Sequence, residues 1–101
     1  MRLVFLALVQ LALSAENFYQ VLGVRRNVQE KDLKRAFKKM SLKYHPDKNL
    51  DNRDWASEHF SKVSNAYEVL SEPELRRAYD RGGEEGLKEF QKNQQAQEAR
   101  E

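Results

Sequence analysis

His45, Pro46 and Asp47 put an imidazole and a carboxylate side by side in a stretch, LKYHPDKNLDNRD, that holds almost nothing a core could use. Such a pair serves general acid–base catalysis, and both residue types bind metals. Neither chemistry finds its remaining parts here. The chain has no cysteine, which excludes thiolate zinc sites, disulfides and a cysteine nucleophile. No candidate nucleophile or oxyanion donor accompanies the pair, so an enzyme is not expected. His59, the other histidine, has no ligand spacing with His45 or Asp47 and reads as a surface side chain; no metal is expected. Recognition is the use that remains. Proline after His45 stops a helix, and Asp47, Lys48 and Asn49 suit a turn, which accounts for Pro46 but not for the choice of His45 and Asp47.

The elements that must position this stretch are helices. Asn17 with Gln20 forms a capping pair ahead of Phe18, Tyr19, Val21 and Leu22, and Gly23 follows where a left-handed residue is wanted. Asn27 with Glu30 forms a second pair, opening a segment to Tyr44 with Leu33, Ala36, Phe37, Met40 and Tyr44 at helical spacing. It predicts an amphipathic helix of roughly 16 residues, about 24 Å long. A further helix is predicted from about Asp54 to Leu70 with Phe60, Val63, Tyr67 and Leu70 on one stripe. Ser71 with Glu74 around Pro73 opens a last short helix ending at Gly82-Gly83. No strand pattern occurs. Two long apolar stripes on a short polar connection must pack as an antiparallel hairpin, with the short helices covering the seam through Phe18, Leu22 and Tyr79. The fold class is all-α, and His-Pro-Asp sits at the hairpin tip.

With 101 residues, 40% apolar and 34% charged, the chain makes one small domain with appendages. Its net charge of +2 is unremarkable, but its distribution is not. Lys31, Lys34, Arg35, Lys38, Lys39 and Lys43 face only Asp32 within one helix, which implies an acidic partner surface. A small basic helical nucleic-acid-binding module is the alternative reading. Against it stand the hairpin arrangement, which lacks a right-angled turn before a recognition helix, and the absence of an arginine-rich arm.

Residues 1–15, MRLVFLALVQLALSA, have the layout of a secretory signal peptide: Arg2, an apolar run from Leu3 to Leu13, then Ser14 and Ala15. The run is too short to span a bilayer, which takes roughly 20 apolar residues. Cleavage after Ser14 is preferred to cleavage after Ala15, because it places Ala12 and Ser14 at the small-residue positions. The folded domain is expected over 16–83. Residues 84–101 read as a polar tail or the start of a linker, and the chain as a piece of a longer protein.

Beyond these patterns the chain resembles the J domain of the DnaJ, or heat-shock protein 40, co-chaperone family over about 70 of its 101 residues. The matching stretches are FYQVLGV from Phe18, DLKRAFKKMSLKYHPDKN from Asp32, FSKVSNAYEVLSEPELRRAYD from Phe60 and GGEEGLK from Gly82. Leu50, where proline is common, Trp55, unusually large, and Leu75 depart from the family pattern. The resemblance implies a J-domain fold and a partner, a heat-shock protein 70 chaperone, whose ATP hydrolysis the domain stimulates during protein folding while supplying no catalytic group. It implies that Asp47 accepts from a partner arginine, that His45 is a second tip contact and that Pro46 holds the two in register. Lys34, Phe37, Lys38, Lys39, Lys48 and Asn49 match the family's partner face. No cofactor is implied. Together with the signal segment, the resemblance implies the endoplasmic reticulum lumen or secretory pathway, the lumenal chaperone as partner, unfolded clients reached indirectly, and no stable membrane insertion after cleavage.

Overall fold

The computed structural model describes residues 16–100; the expected signal segment lies outside them. Helix α1 spans Phe18–Leu22, α2 Glu30–Lys43, α3 Arg53–Ser71 and α4 Pro73–Arg100, with 3-10 turns at Pro46–Lys48 and Leu50–Asn52 between α2 and α3. No strand occurs among the described residues. The all-α expectation holds.

Ring pairs across the seam show that α2 and α3 are antiparallel, since Phe37 in the middle of α2 meets the late α3 residue Tyr67, whereas Tyr44 at the end of α2 meets the early α3 residue His59. Phe37 stacks on Tyr67 at 4.2 Å, Tyr44 on His59 at 5.1 Å, and His45 meets Phe60 edge-on at 6.0 Å. The α2 stripe delivers Leu33 to full burial and leaves Phe37, Met40 and Tyr44 half-buried against the core; α3 buries Ala56, Val63, Ala66, Val69 and Leu70. Neither stripe could be stable in water alone, so the hairpin is held by burial rather than by helix propensity.

Helix α1 closes one side of the seam. Its start has the expected capping box: Gln20 N–H donates to Asn17 Oδ1 at 2.8 Å, and Asn17 N–H to Gln20 Oε1 at 3.0 Å. Its end has Gly23 at φ 69°, a conformation costly for any residue with a Cβ. Phe18 stacks on Tyr79 at 4.3 Å, and its N–H donates to the Tyr79 hydroxyl at 3.0 Å, which ties α1 to α4.

Two expected caps are not formed. Helix α2 begins after Gln29, which makes no side-chain cap bond. Val28 N–H donates to the Arg25 carbonyl, so Asn27 is spent in a turn two residues before the N-cap position. Ser71 does not open α4 but closes α3, because Leu70 is still buried there and the helix continues through it. The first α4 bond runs from Arg76 N–H to the Glu72 carbonyl, with Pro73 in the first turn as expected.

The expected stop at Gly82-Gly83 is where helical geometry ends, and a second helical stretch continues across the kink. Gly82 (φ −136°) and Gly83 (φ 64°, ψ −150°) leave helical geometry, and the helix resumes to Arg100. The φ and ψ of Gly83 are open essentially to glycine alone. Beyond the kink the chain folds back until Gly86 meets the Ala78 backbone, and Leu87 enters the core at 7% exposure.

Candidate functional site

The hairpin tip is built residue by residue. At its end α2 has Tyr44 N–H bonded to the Met40 carbonyl, and the next residue, His45, is extended (φ −65°, ψ 131°), as the residue before a proline must be. Pro46 opens a 3-10 turn whose bonds run from Lys48 N–H to the His45 carbonyl and from Asn49 N–H to the Pro46 carbonyl, at 3.0 and 3.1 Å. His45 caps that turn: its Nδ1 accepts from Asp47 N–H at 3.1 Å, so the neutral ring carries its proton on Nε2. Its edge packs on Phe60. The Asn49 amide donates to the Lys43 carbonyl at 2.9 Å and to the His45 carbonyl at 2.8 Å, closing α2 onto the turn.

These bonds give His45, Pro46 and Asn49 structural tasks in the tip. Asp47 is different. Its side chain is 84% exposed, and the only basic side-chain nitrogen within 4 Å of its oxygens among the described residues is the acceptor Nδ1 of His45, 3.8 Å from Oδ2. The tip therefore presents a carboxylate whose backbone is held on both sides and whose oxygens face water. A carboxylate so placed has its acceptor capacity open to an incoming donor, and a planar guanidinium matches its geometry best.

The structure brings Lys48 and Asn49 beside the triplet, and sets Lys34, Lys38 and Lys39 on the exposed face of α2 with Lys31, Arg35 and Lys43. None of these α2 cations is paired with an acid among the described residues; Lys43 Nζ stands 5.3 Å over the Tyr44 ring. Phe37 is half-buried on this helix, stacked on Tyr67. No group of three or more His, Cys, Asp or Glu side chains among the described residues could hold a metal ion, and no described helix is long and apolar enough to cross a membrane. His59 lies under Trp55, with Nδ1 2.9 Å from the Trp55 carbonyl and ring centroids 4.5 Å apart.

Sequence reasoning missed the lock at the opposite end of the molecule. The Tyr19 hydroxyl donates to Asp80 Oδ1 at 2.6 Å and accepts from Arg76 Nε at 3.2 Å. Arg76 also donates to the Arg26 and Val28 carbonyls, both at 2.9 Å, pinning the α1–α2 loop to α4. Burial, and then donation to Asp80, push the Tyr19 phenol above the usual tyrosine range. The readable signal was Arg76 and Asp80 one helical turn apart, on the same face as buried Tyr79.

The chain is similar to known proteins. The rice DnaJ protein ERDJ3B is 48% identical over 80 residues, covering 79% of this chain and 23% of the relative. DnaJ homolog subfamily B member 6 of Xenopus tropicalis is 53% identical over 70 residues, covering 69% and 29%. In a crystal structure of the J-Trx1 fragment of ERdj5, the similar part superposes with a TM-score of 0.65 at 46% identity, covering 72% of this chain and 35% of that one. The chain thus spans about a quarter of the length of the curated relatives it matches. A family model, the DnaJ domain, matches residues 17–80, from the Asn17 cap through the tip to Asp80, and the chain belongs to that family of co-chaperone J domains.

Proposed function

We propose that this chain docks its hairpin tip and the basic face of α2 on a heat-shock protein 70 chaperone and stimulates that chaperone's ATP hydrolysis. The observation that carries this reading is Asp47: an exposed carboxylate on a rigid turn, beside unpaired lysines, with no part in holding the fold. Asp47 accepts from a partner arginine. Lys34, Lys38, Lys39 and Lys48 draw the tip toward an acidic surface, while His45, Pro46 and Asn49 hold the turn and Phe37 stiffens the helix behind it. The domain contributes no group to the phosphate chemistry; it binds one conformation of the chaperone better than another and so shifts the population that hydrolyses ATP.

Replacing Asp47 by Asn keeps turn chemistry and removes the charge. Folding is expected to be unchanged, because the side chain makes no core contact. Leaving a desolvated partner arginine without its carboxylate costs about 2 to 5 kcal/mol, so single-turnover ATPase stimulation is expected to fall by well over tenfold. Stimulation equal to wild type in a normally melting Asp47→Asn variant refutes the reading. Duplex DNA supplied as competitor decides against the nucleic-acid alternative: it should not displace the chaperone's ATPase domain.

The compartment follows from residues 1–15, and the names ERDJ3B and ERdj5 among the similar proteins agree with it. In translation with microsomes the product should be protected and shortened by about fifteen residues; an unprocessed product that extracts with the membranes rejects the lumenal assignment. With no Asn-x-Ser/Thr acceptor in the chain, no glycan shift should accompany processing.

A further inference from the structure

Among the described residues, the large apolar side chains most open to solvent are Leu42, Leu50 and Trp55, at 56%, 64% and 46% exposure. All lie at the tip end of the hairpin, between the last turn of α2 and the first turn of α3. Single exposed apolar residues need no explanation, but their confinement to the end that carries Asp47 does. Leu50 and Trp55 are also positions at which the sequence departs from the J-domain pattern.

Trp55 is not loose. Its ring rests on His59 at 4.5 Å and meets Tyr44 edge-on at 5.5 Å, and His59 is held by the Trp55 carbonyl. A large side chain fixed in this way loses little freedom when a partner covers it, and rigid aromatic rings at the centre of a polar rim are what dominate binding energy at interfaces. The patch is continuous with the tip: Tyr44 precedes His45 in the chain, and the turn that presents Asp47 packs on α3. A standard interface covers about 800 Å² on each partner, and one centred on Asp47 takes in the start of α3.

We propose that Leu50 and Trp55 form an apolar second contact for the same heat-shock protein 70 chaperone that receives Asp47, an inference that rests on the function proposed above. The matching partner surface carries an apolar patch next to its arginine and acidic residues. The two contacts divide the kinetics. The lysines act at a distance, are screened by salt and set the association rate; the apolar contact acts only once formed, resists salt and sets the lifetime. A chaperone with the acidic surface but no apolar patch would be met as often and released sooner, which makes Leu50 and Trp55 specificity determinants.

Trp55 is the only tryptophan in the chain, so fluorotryptophan incorporation gives a single fluorine NMR signal from that site. On adding unlabelled, ATP-bound lumenal chaperone, the signal should shift and lose its sensitivity to exchanging water for heavy water. Leu50→Asn, at a side chain already in solvent, should fold normally, associate at the wild-type rate and dissociate about fivefold faster. Trp55→Ser, compared at matched folded fraction, should dissociate about tenfold faster. If wild type stimulates the ATPase but the fluorine signal stays in place and Leu50→Asn dissociates at the wild-type rate, this inference fails and the proposed function stands. If wild type neither binds nor stimulates, both fail.

Discussion

The tip makes a sharp prediction about Asn49, whose amide NH2 donates twice inside the protein although its position matches the family's partner face. Asn49→Ala removes hydrogen bonds to the Lys43 and His45 carbonyls at 2.9 and 2.8 Å. Neutral hydrogen bonds are worth about 0.5 to 1.5 kcal/mol net each. The Lys43 bond is exposed and its carbonyl can turn to water, so the pair is worth about 1 to 2 kcal/mol, all of it local to the turn. That lowers the fraction of molecules holding Asp47 in place by at most about 5- to 30-fold. The half-saturating concentration for ATPase stimulation should rise by up to that factor, while the plateau recovers at excess J protein, because a competent state made rarer taxes apparent affinity alone. The decisive assay is a double-mutant cycle with Asp47→Asn. If Asn49 acts by holding the turn, its loss should add little once the carboxylate is gone. Effects that add in full mean that Asn49 touches the partner itself, and they refute the positioning argument.

Two further predictions concern the opposite end. Tyr19→Phe deletes the donor to Asp80 and the acceptor for Arg76, and should cost about 1.5 to 3 kcal/mol in urea unfolding, since both lost bonds involve charged groups. The Tyr19 phenol is raised in the folded state, so its contribution is complete below the unfolded value near pH 10 and is lost as pH rises through the folded value. Wild type should therefore show an alkaline fall in stability that Tyr19→Phe lacks, and equal slopes for the two would contradict the lock. Gly86→Val places a Cβ 2.9 Å from the Ala78 carbonyl oxygen, a backbone atom that cannot turn aside, and pulls on neighbouring Leu87. It should cost about 1 to 3 kcal/mol and lower Tm by about 4 to 8 °C for each of these. Gly82→Ala, with nothing within 4 Å and a negative φ, should melt near wild type, and equal losses from both would reject the fold-back.

How much was legible in the sequence depends on whether the signal was local. The α2 and α3 stripes repeat at helical spacing over several turns, so Leu33, Val63 and Leu70 were readable as core, and their burial follows. The Asn17–Gln20 box was readable because both of its bonds close within four residues. The Asn27–Glu30 and Ser71–Glu74 pairs have the same spacing and fail. What decides them is non-local: Arg76 holds the Arg26 and Val28 carbonyls from across the molecule, and buried Leu70 carries α3 through Ser71. Leu87 was hidden for a related reason. Leu87 and Phe90 alone in a polar segment make no sustained stripe, and only the turn at Gly83 brings Leu87 to the core.

The same distinction explains why the triplet could be read for function but not apportioned. Sequence alone accounted for Pro46 as a helix stop and left His45 and Asp47 as a surplus to be assigned together to a partner. The tip separates them. Imidazole Nδ1 is an acceptor the turn itself uses, so His45 has a task even with no partner present. The Asp47 carboxylate has none, since the basic side-chain nitrogen nearest it, His45 Nδ1 at 3.8 Å, is itself an acceptor, and its oxygens are open to water. A folded chain gains nothing from that charge, and at the end of a basic helix a carboxylate could as easily have been an amide. The part of HPD that folding does not explain is therefore one functional group, and the search for the partner's complementary residue reduces to a donor that fits a single exposed carboxylate set in a field of lysines.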